Sequence, residues 1–234
     1  MKFLVFDTET TGFIPKPRPL YTEHEKFPYI VQLSYIVFDK GNMSVSNTQD
    51  FIVSMPKNVS IPKSASNIHG ITTRISRRDG NDILYVLSEF YKALDDVDLI
   101  VGHNIQFDIN MVIAESYRNL PHFHASTKYS IDDNFVQKFR TKRQYCTMRN
   151  GVTTCNLLSK GADCSTYFKW PRLEELYKVL FNTTVKNTHN ALVDVLMTLR
   201  CYCKMLPAMN TDICAIGSDT VYWLFNENVE AVPA

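Results

Sequence analysis

The segment from Lys2 to Phe6 carries a continuous apolar run, Phe3-Leu4-Val5-Phe6, halted by Asp7. A short run without polar alternation reads as a strand buried on both faces, as in α/β sheets covered by helices on either side. Tyr29 to Asp39 and Val45 to Val53 read as two further strands, joined through Lys40-Gly41-Asn42 as a hairpin. Gln49 and Asp50 interrupt the pattern of the second. Between the first two strands, Ile14 to Pro28 holds Pro15, Pro17, Pro19 and Pro28, which exclude regular helix and favour an extended loop.

Downstream the period changes. Leu84, Leu87, Tyr91 and Leu94 share one face of a predicted helix over Ile83 to Leu94. Leu99 to Val101 is a short buried strand closed by Gly102, and a helix from Asn104, its own N-cap, to Tyr117 follows. Tyr145 to Met148 reads as a strand within an otherwise unassigned stretch, 121–165. Leu173 to Phe181 and Asn190 to Met205 are helical, with Leu192, Val195, Leu196 and Leu199 aligned in the second. Strands paired antiparallel and then alternating with helices imply a mixed sheet with helices packed on it. Residues 1–206 fit one domain. Residues 207–234 read as a tail, whose Val221-Tyr222-Trp223-Leu224-Phe225 either docks on the domain's own core or binds a partner.

Composition narrows the class of function. The chain has 25 Lys+Arg against 24 Asp+Glu, so any nucleic-acid binding must rest on local patches. No apolar run approaches the ~18 residues of a membrane span, and the N-terminal run is too short for a signal-peptide core. Cys146, Cys155, Cys164, Cys201, Cys203 and Cys214 include no C-x-x-C pair, which argues against zinc and for reduced thiols in an intracellular protein.

The chemistry lies in the acids. Asp7 and Glu9 stand two apart where the first strand ends, so both carboxylates point to one side of the sheet edge. Taken alone, the pair is equally a surface or capping feature. Asp108 follows Asn104 by four residues among Ile105, Phe107, Ile109, Met111, Val112 and Ile113. A carboxylate buried in such company needs a cation, a metal or a basic side chain. Asn187, Thr188 and Asn190 are all good helix caps. If the last helix begins at Asn190, His189 stays outside it and is free to swing over a site that Asp194 faces from inside. Four carboxylates and one histidine match what two hard divalent cations and a general base require.

Val5-Phe6-Asp7-Thr8-Glu9-Thr10-Thr11-Gly12, then Gly102-His103-Asn104 with Phe107-Asp108, then His189-Asn190-Ala191-Leu192 with Asp194, resemble the three motifs of the DnaQ-like 3′–5′ exonucleases. The histidine five before the last aspartate is the DEDDh form, and Asn67-Ile68-His69-Gly70-Ile71-Thr72 resembles the family's HGIT stretch. The motifs come in the family's order over about residues 1–206. The resemblance implies a ribonuclease H-like fold, a mixed five-stranded sheet with its second strand antiparallel, flanked by helices. It implies removal of mononucleotides from a 3′ end with two Mg²⁺ or Mn²⁺ ions ~3.5–4 Å apart. Asp7, Glu9, Asp108 and Asp194 correspond to the metal-binding carboxylates, His189 to the general base, and His69 to a histidine lining the substrate site. Phe13 stands where relatives place an apolar residue against the terminal base.

The first motif and the HGIT segment look most like proofreading relatives. They favour single-stranded or frayed DNA ends as substrate, with a polymerase or another protein as a possible partner. RNA trimming is the rival, since the five catalytic residues are shared across substrates. A non-catalytic scaffold would show a lost carboxylate, and none is lost. Lys138, Arg140, Lys142, Arg143 and Arg149 lie in an acid-free stretch, 134–162, interleaved with Phe139 and Tyr145. This stretch is either a backbone-binding surface, with Arg140, Lys142 and Arg143 as phosphate contacts and Asn104 beside the substrate, or a solvated positive face.

Overall fold

The computed structural model describes residues 1–186, 188–206 and 231–233. Strand β1 (Lys2–Thr10) lies at the centre of a five-stranded sheet of order β3-β2-β1-β4-β5. β2 (Ile30–Asp39) runs antiparallel to β1 and to β3 (Ser44–Ile52), closing the predicted hairpin. β4 (Leu99–Gly102) and β5 (Arg143–Cys146) continue the sheet parallel to β1. This is the mixed α/β sheet expected, with its second strand antiparallel.

Alternation along β1 sorts the core into two layers. Leu4 and Phe6 face Val86, Phe90 and Val112 on one side, where α3 (Ile83–Asp95), α4 (Gln106–Ala125) and α5 (Phe135–Thr141) pack. Phe3 and Val5 face Leu196 and Leu199 on the other, where α8 (Leu173–Phe181) and α9 (Ala191–Met205) pack. α9 is buried around nearly its whole circumference. The same parity continues past the apolar run, so Asp7 and Glu9 emerge on the α9 side and Thr8 on the α4 side.

Several elements depart from the sequence reading. Helix α1 (Lys63–His69) and α2 (Thr73–Asp79) flank the HGIT segment, and Gly70 caps α1 at φ 77°, a left-handed value that favours glycine. The proline-rich loop contains 3₁₀ turns over Tyr21–Lys26, beyond its first three prolines. α4 begins two residues later than predicted and runs past Pro121 to Ala125, because Phe123 is held in the core. The unassigned stretch holds single-turn helices α6 (Thr147–Asn150) and α7 (Val152–Cys155) and a ribbon of β6 (Leu158–Lys160) and β7 (Thr166–Phe168).

Of the predicted tail, Ala231–Pro233 forms β9 against β8 (Thr183–Val185). Val221 to Phe225, Cys214 and Asn187 lie outside the described residues. No described helix is long and apolar enough to cross a membrane.

Candidate active site

β4 pairs with β1 only as far as Val5↔Val101 and ends at Gly102. The continuing edge of β1 therefore lacks a strand partner, and the first turn of α4 fills the gap. Asp108 Oδ1 accepts Thr8 N–H at 3.0 Å and Thr8 Oγ–H at 2.7 Å, taking the place of the missing ladder. Asp108 is buried there, 3% exposed, and among the described residues no basic side chain bonds to it. The motif's spacing thus has a mechanical cause. Thr8, which the sequence reading passed over, ties the first acidic element to the second.

The third element is set by two polar residues. Asn190 Oδ1 accepts Leu192 N–H and Val193 N–H, capping α9 as expected, a contribution of about 1 kcal/mol. Gln32, buried on β2 opposite Glu9, accepts Ala191 N–H at 3.2 Å and donates to Asp50 at 2.8 Å. Asp50, which broke the strand pattern, is the anchor of that bridge. His189 precedes the cap at φ 68°, and this left-handed turn carries its ring outside the helix.

The result is convergence. Donor atoms of Glu9, His189 and Asp194 lie within 4.8 Å of one another. Asp7 is pushed well above the usual carboxylate range by burial, then by the charges of Asp108, Asp194 and Glu9. Burial and the charges of Asp194 and Asp108 push Glu9 up to about 8. Asp108 rises to about 7 through burial, against the lowering hydrogen bonds from Thr8. Asp194 rises to about 7 through burial and then the charge of Glu174. Its Oδ1 is buried without a hydrogen-bond partner.

Glu174, in the first turn of α8, lies 3.8 Å from His189 Nε2. The sequence reading missed this fifth carboxylate, for it stands in an ordinary amphipathic helix with nothing to mark it. His103 of the second motif is structural. Its Nε2 donates to Pro171 O at 3.1 Å, Nδ1 bonds Thr147 Oγ1 at 3.0 Å, and burial pushes its pKa down to about 4.

Glu9 and His189 open into a cavity of about 300 Å³ walled by Phe13, Ile68, His69 and Phe107. Phe13 is 85% exposed, its ring free for contact. His69 accepts Ile71 N–H on Nδ1 at 3.1 Å, so its neutral ring carries the proton on Nε2, which is buried and faces the Thr10 backbone. Burial lowers the His69 pKa and favours that neutral form.

The structure does not gather the basic stretch at this site. Arg143 opens β5 opposite Leu99, at the end of the parallel strands away from Asp7 and Glu9. Lys142 donates to the carbonyls of Val97 and Asp95 at 2.7 and 3.3 Å, and Lys138 pairs with Asp95 at 2.6 Å. Strand direction separates them. Arg140 lies elsewhere, exposed on α5, where its charge acts on the Tyr21 phenol. Arg149, beyond the end of β5, lines a cavity of about 170 Å³ with Asn104. Asn104 itself does not cap α4; it takes φ 61°, and the helix follows Ile105.

A cluster of carboxylates thus gathers where β1 outruns its parallel neighbour, beside a histidine and a cavity of about 300 Å³. The model of the RNase T exonuclease family matches residues 4–202, and the chain belongs to that family. No curated protein sequence matches it significantly. Solved structures share the fold. E. coli exonuclease I in complex with a dT13 oligonucleotide superposes with TM-score 0.57 at 20% identity, over 87% of this chain and 41% of that one. A product-bound exonuclease I gives TM-score 0.57 at 18% identity, over 96% and 46%. The zinc-bound E. coli exonuclease I–single-stranded DNA complex gives 0.58 at 19%, over 92% and 43%. The chain spans less than half the length of these proteins.

Proposed function

We propose that the chain is a 3′–5′ exonuclease that releases nucleoside monophosphates from single-stranded or frayed DNA ends. The observation that carries this reading is the convergence of Asp7, Glu9, Asp108 and Asp194 beside His189, at the mouth of a cavity suited to one nucleotide. The donor set fits hard divalent cations. It consists of oxygen ligands, Asp194 Oδ1 is buried without a partner, and burial raises all four carboxyl groups, with repulsion from neighbouring carboxylates adding to it at Asp7, Glu9 and Asp194. Asp7, Glu9, Asp108 and Asp194 would hold two Mg²⁺ or Mn²⁺ ions. Such ions supply Lewis acidity at the scissile phosphate and lower the pKa of water.

The remaining work belongs to side chains. His189, outside the helix and partly exposed, accepts the attacking water's proton, and Glu174 beside it offsets the positive charge that forms. Thr8 keeps Asp108 oriented. The Phe13 ring stacks on the terminal base, and His69 forms part of the cavity wall that receives the nucleotide.

DNA is favoured because the solved structures that share the fold include exonuclease I with dT13, dA16 and single-stranded DNA. Release of nucleoside monophosphates from matched DNA and RNA oligomers, with Mg²⁺, tests the reading. Faster release from DNA 3′ ends is expected. Preference for RNA would reassign the substrate, and no release from either would overturn the function.

A further inference from the structure

The ribbon β6–β7 has no core of its own, and a two-stranded ribbon alone is marginal in water. Its apolar side chains are nonetheless large and open. Leu158 is 67% exposed, Tyr167 50%, Phe168 53% and the adjoining Trp170 61%. Leu158 pairs with Phe168 and so shares its face, while Tyr167 points to the other. A docking surface for a folded protein gathers its apolar groups on one face. Here three of the four are aromatic and they are divided between faces, an arrangement suited to bases splayed from a flexible strand.

The ribbon is fixed close to the site. Lys169 N–H bonds Leu157 O at 2.9 Å, closing its base, and Pro171 O accepts from His103 at 3.1 Å. Arg172 then leads into α8, whose Glu174 lies 3.8 Å from His189. The four residues from Trp170 to Glu174 span at most about 14 Å, or about four nucleotides of stacked strand. Charge agrees. Asp163 is occupied by Ser165 N–H and Oγ–H, and Glu175 is held by Lys169 at 2.6 Å with Arg172 at 3.6 Å. Lys160 is exposed on the ribbon and Arg172 just beyond it.

We infer that Trp170, with Phe168 and Tyr167, stacks bases of the single strand a few nucleotides upstream of the 3′ terminus. The inference rests on the exonuclease reading, since it needs a single strand entering at His189. Stacking on aromatic rings tolerates any base, and each stack changes affinity by about five- to a hundred-fold.

The full chain is titrated with 5′-labelled dT12 and U12 in excess chelator, which blocks turnover. The kcat/KM for dT3 and dT12 is then measured with Mg²⁺. Trp170→Ala is expected to weaken binding of the 12-mers about five- to a hundred-fold and to raise KM for dT12. Trp170→Phe should restore most of the loss, and turnover of dT3, too short to reach the ribbon, should stay unchanged. Equal losses for dT12 and U12 locate the contact on the bases; a loss for only one overturns sequence- and sugar-tolerant stacking. Unchanged 12-mer affinity in a variant that still degrades both lengths would overturn this inference alone. So would a Trp170→Ala variant whose only change is a shift in sedimentation, marking a protein contact. A wild-type chain that degrades no oligomer would overturn the exonuclease reading, and this inference with it.

Discussion

His189 and Asp7 sit in one site with different tasks, and substitution separates them. His189→Ala removes the proton acceptor, so the chemical step should fall about 10²–10⁴-fold. The rise in melting temperature on adding Mg²⁺ should survive, because hard cations prefer oxygen. Asp7→Asn should lose both, and thermal melts beside single-turnover rates check the pair. The acids also make stability depend on pH. In the metal-free fold Glu9 titrates at about 8 and Asp108 and Asp194 at about 7, whereas unfolded carboxyls titrate near ~4. Between those limits the folded chain binds more protons than the unfolded one, so stability falls as pH rises from about 4 to about 8. The melting temperature in chelator should drop by several degrees across that window, since about 1 kcal/mol moves it ~2–4 °C at this size. Glu9→Gln should flatten the fall, and a melting temperature that climbs through the window would contradict the electrostatic account.

Among the elements, the proline-rich loop is tied to α4 through a largely buried cation, beside the Tyr21–Asn110 hydrogen bond. Arg118 pairs with Glu115 and donates to the carbonyls of His24, Phe27 and Pro28, with its guanidinium 3.9 Å over the Tyr29 ring. Glu115 in turn accepts Ile30 N–H at 3.0 Å. Arg118→Ala leaves that carboxylate buried and unpaired, and a loss of about 3–5 kcal/mol is expected in denaturant unfolding. A loss below about 1 kcal/mol, ordinary for an exposed pair, would refute the strut.

Elements were legible in the sequence where one periodicity governed them. The apolar run before Asp7, the hairpin and the last helix were of this kind, and so were Asp7, Glu9 and His189, which strand parity and the Asn190 cap place. Arg118, Gln32, Thr8 and Glu174 were not legible, since each acts through a partner remote in sequence. Lys142 and Arg143 misled for the same reason: charge density along the chain carries no record of which end of a strand it occupies. Pro121 obscured the end of α4, where packing of Phe123 overrides the cost of the proline.

Across the whole molecule, the family match spans residues 4–202, and the four site acids come from β1, α4 and α9, with His189 in the turn before the last. We propose that these acids hold the divalent cations that drive 3′-end hydrolysis. Single-stranded DNA labelled in turn at its 5′ and 3′ ends, incubated with the chain in Mg²⁺ and then in excess chelator, tests it most directly. The 5′-labelled products should shorten one nucleotide at a time, a 3′-terminal mononucleotide should be released at once, and hydrolysis should stop in chelator until Mg²⁺ or Mn²⁺ is restored. Undiminished cleavage in chelator, or mononucleotides released first from the 5′ end, would contradict it.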